Sequence, residues 1–155
     1  MKQRRFTLLY KLIKKRVIQT LNAYPVTSLP IPIHSIEEII NENRYQVKNV
    51  GGLLKPCIFD TTIYCPTFKT SNDCRYALSH ELGHIMIHGN TKSIIDHPAK
   101  HEAVADAFAL YFTMPPYLFE EDLKRMNEWD LAEKYGVPVK QVLNRFKFCE
   151  GYRYH

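Results

Sequence analysis

Long apolar runs are missing from this 155-residue chain. No uninterrupted hydrophobic stretch approaches the roughly 18 residues that a membrane-spanning helix needs, so integral membrane association is not expected. The first residues, MKQRRFTLLYKLIKKRVIQ, are basic. Lys11, Lys14, Lys15 and Arg16 nevertheless interrupt what a signal peptide needs as its apolar core, and no small-residue cleavage site follows. A cytoplasmic location is the resulting expectation. Cysteine is sparse: Cys57, Cys65, Cys74 and Cys149 form no CxxC pair and are too few for a disulfide scaffold. Reduced, mostly buried thiols are expected, with a thiol nucleophile beside a histidine as the minor alternative. Repeats and low-complexity tracts are absent as well. Acidic residues are lacking from positions 1–16, which hold Lys2, Arg4, Arg5, Lys11, Lys14, Lys15 and Arg16. That segment carries +7 of a net +5, which leaves −2 for the rest of the chain. The basic balance therefore reports one segment and not a basic domain.

What is present suits one compact domain: the length, 45% hydrophobic residues and 12% aromatics. In the basic segment Phe6, Leu9, Ile13 and Val17 step by three or four, which predicts a basic amphipathic helix over 1–24. Docking by that stripe, with the charges solvated, is the plain reading. An acidic partner, nucleic acid or an anionic membrane surface would use the charges instead. Pro25–Pro32 reads as an extended connector, and Ser35 as the N-cap of a helix running through about Asn43. Tyr45–Val50 is a strand candidate, Gly51-Gly52 a turn, and Cys57–Tyr64 the best single strand in the chain. Thr70–Asp73 offers N-caps for a helix to His88, with Gly89 in the C′ place. A second long helix starts near Pro98 and stops before Pro115-Pro116, and Leu118–Met126 follows as a shorter one. Leu131–Phe146 reads as helix, glycine turn, helix, with Pro138 opening the second. This pair resembles the two-helix core of a DNA-binding helix-turn-helix, in which Lys140, Arg145 and Lys147 would meet phosphates. Packing of the same two helices against the rest of the domain is the alternative, because two helices rarely suffice for DNA without a third.

The chemistry lies in His80-Glu81-Leu82-Gly83-His84. Residues four apart share a helix face, so both imidazoles can meet one borderline metal ion such as Zn²⁺. Glu81 is too close in sequence to His80 to ligate comfortably, and is placed to act as a general base on a water at that ion. Taken alone, the pattern also fits a helix with solvated histidines. A catalytic zinc usually has three protein ligands and an open position. On the next helix Glu102 and Asp106 are four apart. An antiparallel approach would aim Glu102 at the metal and let Asp106 accept a hydrogen bond from a ligand imidazole. Such a pair is often just a solvated face. Here Ala103, Val104, Ala105, Ala107, Phe108 and Ala109 predict a largely buried helix, and buried carboxylates need partners.

Three blocks in this order, Tyr76–His88, Glu102-x-x-Ala105-Asp106-x-Phe108-Ala109 and Met114-Pro115, resemble the ImmA/IrrE family of metallopeptidases over roughly residues 33–148. The resemblance implies a zincin-like α+β fold, with a small, mostly antiparallel sheet beside the motif helix and a helical carboxy-terminal part. It implies Glu102 as the third ligand. Members typically serve mobile elements, phages or stress regulons of bacteria, and several cleave a cognate repressor. Many carry a helix-turn-helix repressor domain on the same chain. These 155 residues leave no room for a full one, so a separate repressor or regulator is expected as substrate. A second acid two residues after the ligand is frequent in the family; Val104 stands there in this chain.

His88 follows His84 by four, but a metzincin-type third histidine would come six residues after the second with glycine between, and that pattern is absent. Tyr64, Tyr111, His97 and His101 are the candidates for stabilising an oxyanion. The expectation is thus a single metallopeptidase domain over 25–155, with helix-turn-helix-like helices at about 117–148. It would hold one Zn²⁺ on His80, His84 and Glu102, with Glu81 as base and Asp106 orienting a ligand. A catalytically silent zinc-fold regulator acting by protein or DNA contact is the rival, and a purely structural zinc site a weaker third reading.

Overall fold

The computed structural model describes residues 2–88 and 98–149, with side chains over 8–87 and 101–149. Gly89 and His97 lie outside the described residues. Helix α1 (Lys2–Ala23) buries Ile13, Val17 and Leu21, one turn apart along a single face, and leaves its charged side to solvent. Helix α2 (Ile33–Glu42) buries Ile36, Ile39 and Ile40. It begins two residues before the expected cap: Pro32, in extended conformation, is the N-cap and no side chain bonds the first turn, so Ser35 lies inside the helix. A proline can stop the preceding extended connector and start the helix by its fixed φ, without a hydroxyl cap.

The sheet has three strands, β1 (Gln46–Asn49), β2 (Cys57–Phe59) and β3 (Thr62–Cys65), in the order β1-β3-β2. It is mixed and not mostly antiparallel: β1 pairs parallel to β3, and β2 pairs antiparallel to β3. The expected single strand Cys57–Tyr64 is a hairpin. Asp60 breaks it with a φ of 55°, in the left-handed region that short polar residues tolerate. The middle strand is the buried one, through Ile63 and Cys65, and β2 is left as an edge.

Helix α3 (Ser71–His88) is capped by Thr70, whose Oγ1 accepts from the Asp73 N–H at 3.1 Å and donates to Asp73 Oδ2 at 2.9 Å. Helix α4 (Pro98–Thr113) is buried continuously from Ala107 to Thr113. Its inner side shares a core with Ile13 and Val17 of α1, Ile36 and Ile40 of α2, Ile63 of β3 and Leu78 and Leu82 of α3.

Helices α5 (Pro116–Leu123), α6 (Glu128–Tyr135) and α7 (Val139–Phe146) form a second core with Leu110 and Met114. Asn127 caps α6 by accepting from the Asp130 N–H at 2.9 Å, and Gly136 ends it in the left-handed conformation. A Cβ at Gly136 would also collide with Pro30 and with the Arg75 guanidinium, so glycine is required twice over. Arg75 donates to Ile31 O and to Gly136 O, both at 2.7 Å, and so ties α3 to the connector and to the α6–α7 turn.

Arg145 corrects one expectation. It is 0% exposed and cannot reach a phosphate. Its guanidinium lies 4.8 Å from the Tyr111 ring centroid and 4.7 Å from that of Phe119, and Nε donates to Met114 O at 3.1 Å. Aromatic faces and the carbonyl end of a helix replace water around the cation. The four cysteines are free: Cys57 is exposed, Cys65 buried and the other two half-buried.

Asp122 of α5 is 4% exposed and accepts from the Tyr135 hydroxyl at 2.6 Å, with Lys134 Nζ also at 2.6 Å. Those partners, with Lys134 foremost, hold its carboxyl below the usual range. A depressed carboxyl stabilises the fold above the ordinary carboxylate pKa, and this is lost as pH falls through the folded-state value. Asp122→Asn should therefore cost about 1–3 kcal/mol in urea unfolding near neutral pH. The gap to wild type should narrow as the pH falls below the ordinary carboxylate range and through the lower folded-state value.

Candidate metal centre

Helices α3 and α4 run antiparallel, with Tyr76 opposite Asp106 and His84 opposite Glu102. Their separation is set at Gly83. A Cβ there would stand 2.9 Å from Ala105 O, 3.0 Å from Phe108 Cβ and 3.1 Å from Ala105 Cα, closer than real side chains pack. The glycine in the motif therefore lets one backbone rest on the other, within one turn of both histidines.

Across that contact four side chains meet. His80 Nε2 lies 2.9 Å from Glu102 Oε2, and His84 Nε2 lies 2.9 Å from Glu102 Oε1. The two Nε2 atoms are 3.2 Å apart. On the far side of its ring, His80 Nδ1 lies 2.7 Å from Asp106 Oδ1, to which its N–H donates. That bond leaves the lone pair of neutral His80 on Nε2, facing the cluster. Among the described residues, His80, His84 and Glu102 form the one group whose ligand atoms all lie close enough to share an ion, within 4.8 Å of one another.

The donor set fits zinc. Two imidazole nitrogens and a carboxylate are a catalytic-type set, and bonds of about 2.0–2.1 Å in a tetrahedron place ligand atoms roughly 3.3 Å apart. Without a cation or a proton between them, converging lone pairs would repel. The Glu102 and Asp106 side chains are 61% and 52% exposed, so burial is not what brings them to the histidines. The α4 helix is buried on its other face, and the carboxylates are at the surface because the site opens there.

Glu81 is 6% exposed. Burial pushes its carboxyl up to about 7, with Glu102 adding to the rise and His80 opposing it. For His80, burial disfavours the charged ring, but the hydrogen bond and charge of Asp106, with Glu81 and Glu102, outweigh it and raise its pKa. Glu81 and Glu102 form a common wall of two cavities on either side of Pro56. One, of about 400 Å³, is lined by Tyr45, Cys57, Ile58 and Ile85; the other, of about 270 Å³, by Lys55, Tyr76 and His80. Together they make a groove along the β2 edge and over the cluster. A further cavity of about 240 Å³, between the end of α1 and α2, contains no histidine and is remote from this chemistry.

The remaining sequence candidates fall elsewhere. Tyr111 is buried beneath Arg145, with Phe148 at 5.5 Å. Tyr64 is half-buried on β3 and His101 half-buried beside Glu102; neither they nor Tyr111 line the groove. Of His88 the backbone alone is described. Burial pushes the Cys65 thiol up to about 12 and raises Cys74 and Cys149, which disfavours a thiolate at these three; Cys57 is exposed in the groove wall. Tyr76 was not singled out by the sequence reasoning. Its hydroxyl donates to Asp106 Oδ1 at 3.2 Å, so the oxygen that orients His80 is itself anchored. The signal was its position four residues before His80.

The family model Peptidase_M78, the IrrE N-terminal-like domain, matches residues 62–147. The chain belongs to this ImmA/IrrE family. The match spans β3 through α7 and includes the whole His80–Glu102 cluster. No curated protein gives a significant sequence match. Among solved structures, a Mycobacterium tuberculosis transcriptional regulator superposes with a TM-score of 0.68 at 10% identity. The alignment covers 87% of this chain and 46% of the regulator, so the chain spans about half of that protein's length, and the likeness concerns fold alone. Membership in this peptidase family and the His-His-Glu group are together consistent with a zinc peptidase.

Elemental analysis should find close to one zinc per chain in wild type and a sharp loss in Glu102→Ala. Asp106→Asn, which keeps the shape and removes the charge, should weaken zinc binding by about 10–100-fold in a chelator competition. Gly83→Ala should cost about 1–3 kcal/mol in denaturant unfolding, because a methyl group must part the two helices. It should weaken zinc binding along with stability.

Proposed function

We propose that this member of the family is a zinc-dependent endopeptidase that hydrolyses a peptide bond in a partner protein, a separate repressor or regulator of a mobile element, phage or stress regulon. The observation that carries the reading is the placement of Glu81: a buried carboxylate beside the His80–His84–Glu102 group, in the wall of an open groove. A purely structural zinc site has no use for a base there, nor for an open side.

In this reading His80, His84 and Glu102 hold the ion. Zinc there supplies Lewis acidity, lowering the pKa of a water toward about 7 and polarising a carbonyl. Glu81 takes the proton of the attacking water and delivers it to the leaving amine. Asp106, braced by Tyr76, keeps His80 in the ligating tautomer. Edge strand β2 pairs with the extended substrate segment and lays it along the groove. A cytoplasmic site of action goes with a repressor substrate; among the described residues no helix is long and apolar enough to cross a membrane.

The rival is a regulator that keeps the zinc fold and acts by contact, and the basic α1 is the observation that favours it. Glu81→Gln separates the two. Incubated with repressors encoded by the same genome, it should cut about 10²–10⁴-fold more slowly than wild type while retaining zinc and fold, with cleavage read by fragment mass. Full repressor release by Glu81→Gln in a reporter strain would favour the contact-acting regulator.

A further inference from the structure

The outer face of α1 contributes nothing to the metal cluster or to the groove beside it. The inner face is committed: Ile13, Val17 and Leu21 are part of the main core. The helix is therefore held as a fixed ridge, and what it shows to solvent is decided by its sequence. Leu8 and Leu12 stand one turn apart on that outer side, 60% and 56% exposed. At 3.6 residues per turn, Lys11 and Lys15 fall along one flank of the leucine pair and Arg16 along the other. All three are exposed, and no acidic residue occurs anywhere in Lys2–Ala23. The rest of the chain sums to −2, so the net positive charge of the chain resides in this one element.

We propose that the outer face of α1 is a docking surface for an anionic phospholipid bilayer. An apolar ridge bordered on both sides by cations matches the boundary between acyl chains and anionic headgroups. Leucines enter the apolar side while lysine stems lie along it and lift their ammonium groups to the phosphates. The positive amino-terminal end of the helix dipole adds to the attraction. Nucleic acid fits less well. Its phosphates would satisfy Lys11, Lys15 and Arg16 but would press against Leu8 and Leu12, which gain nothing in that contact. Because α1 is already seated by its opposite face, docking requires no refolding, and among the described side chains none of α1 lines the groove that a substrate would enter.

The test is flotation of the full-length protein with vesicles of mixed phosphatidylglycerol and phosphatidylcholine, against phosphatidylcholine alone. Binding is expected with the anionic vesicles only, and should weaken as salt is raised. Leu8→Ser/Leu12→Ser should lower that binding by about tenfold or more, with helix content and zinc stoichiometry unchanged, since both side chains are exposed. Lys11→Glu/Lys15→Glu should abolish it. Absence of flotation with anionic vesicles at low salt overturns the proposal, as does flotation that the leucine substitutions leave unaltered. Duplex DNA binding that is lost in Lys11→Glu/Lys15→Glu but kept in Leu8→Ser/Leu12→Ser assigns the face to nucleic acid and overturns it too.

Discussion

The backbone contact between Gly83 and Ala105 is the constraint from which the site follows. A glutamate side chain is short, and Glu102 can place one oxygen at each imidazole only if its helix lies almost on top of α3. Helix axes normally stand 8–10 Å apart because side chains keep them there. Here the side chain is removed at the crossing point, and a Cβ restored at Gly83 would meet Ala105 O at 2.9 Å. Ala105 and Ala109, both fully buried, keep the α4 side of the contact thin. Two histidines, two carboxylates and their hydrogen bonds thus depend on a residue that contributes no side chain to them.

Charge is divided across that contact in a way that gives each group one task. Asp106 and Glu102 both face His80, but on opposite edges of its ring: one fixes the proton on Nδ1, the other stands where a shared ion belongs. Glu81, on the same helix turn, is turned into a drier place and has its carboxyl raised to about 7 by burial, while Glu102 stays at the open side. Three carboxylates within two helices therefore differ in burial and partner, and in the proposed reading this difference, not their residue type, would separate a base from a ligand and an orienting group.

The elements legible in the sequence were those fixed by local rules. Histidines four apart share a face whatever surrounds them, and Thr70, Pro98, Gly136 and Pro138 mark helix ends by their own conformational preferences. The parts that were not legible depend on distant chain. β-branched content in Cys57–Tyr64 speaks for strand but cannot say that Asp60 turns it back, nor that β1 reaches β3 in parallel across a hairpin. Ser35 had the chemistry of a cap, yet Pro32 had the geometry. Arg145 looked like a surface cation because nothing nearby in sequence reveals that Tyr111, Phe119 and Met114 O enclose it. Glu102 and Asp106 were expected to need partners because of burial; they sit at the surface, and α4 is dry only on its other face.

Arg145 also ties the carboxy-terminal helices to the helices of the site. α4 is gripped at its middle by the Gly83 contact and at its end by Arg145, which joins Met114 O to the ring of Tyr111 on α4 itself and to that of Phe119 on α5. A helix held at these two points resists tilting and sliding, and Glu102 lies one turn from the first of them. The stretch matched by the family, residues 62–147, is the stretch these contacts span: β3, the two site helices and the three helices that clamp α4. α1 lies outside it. Its inner face must still fit the core, but no contact of the metal cluster fixes its outer face. A row of exposed leucines between cations there can therefore answer to a surface other than the substrate.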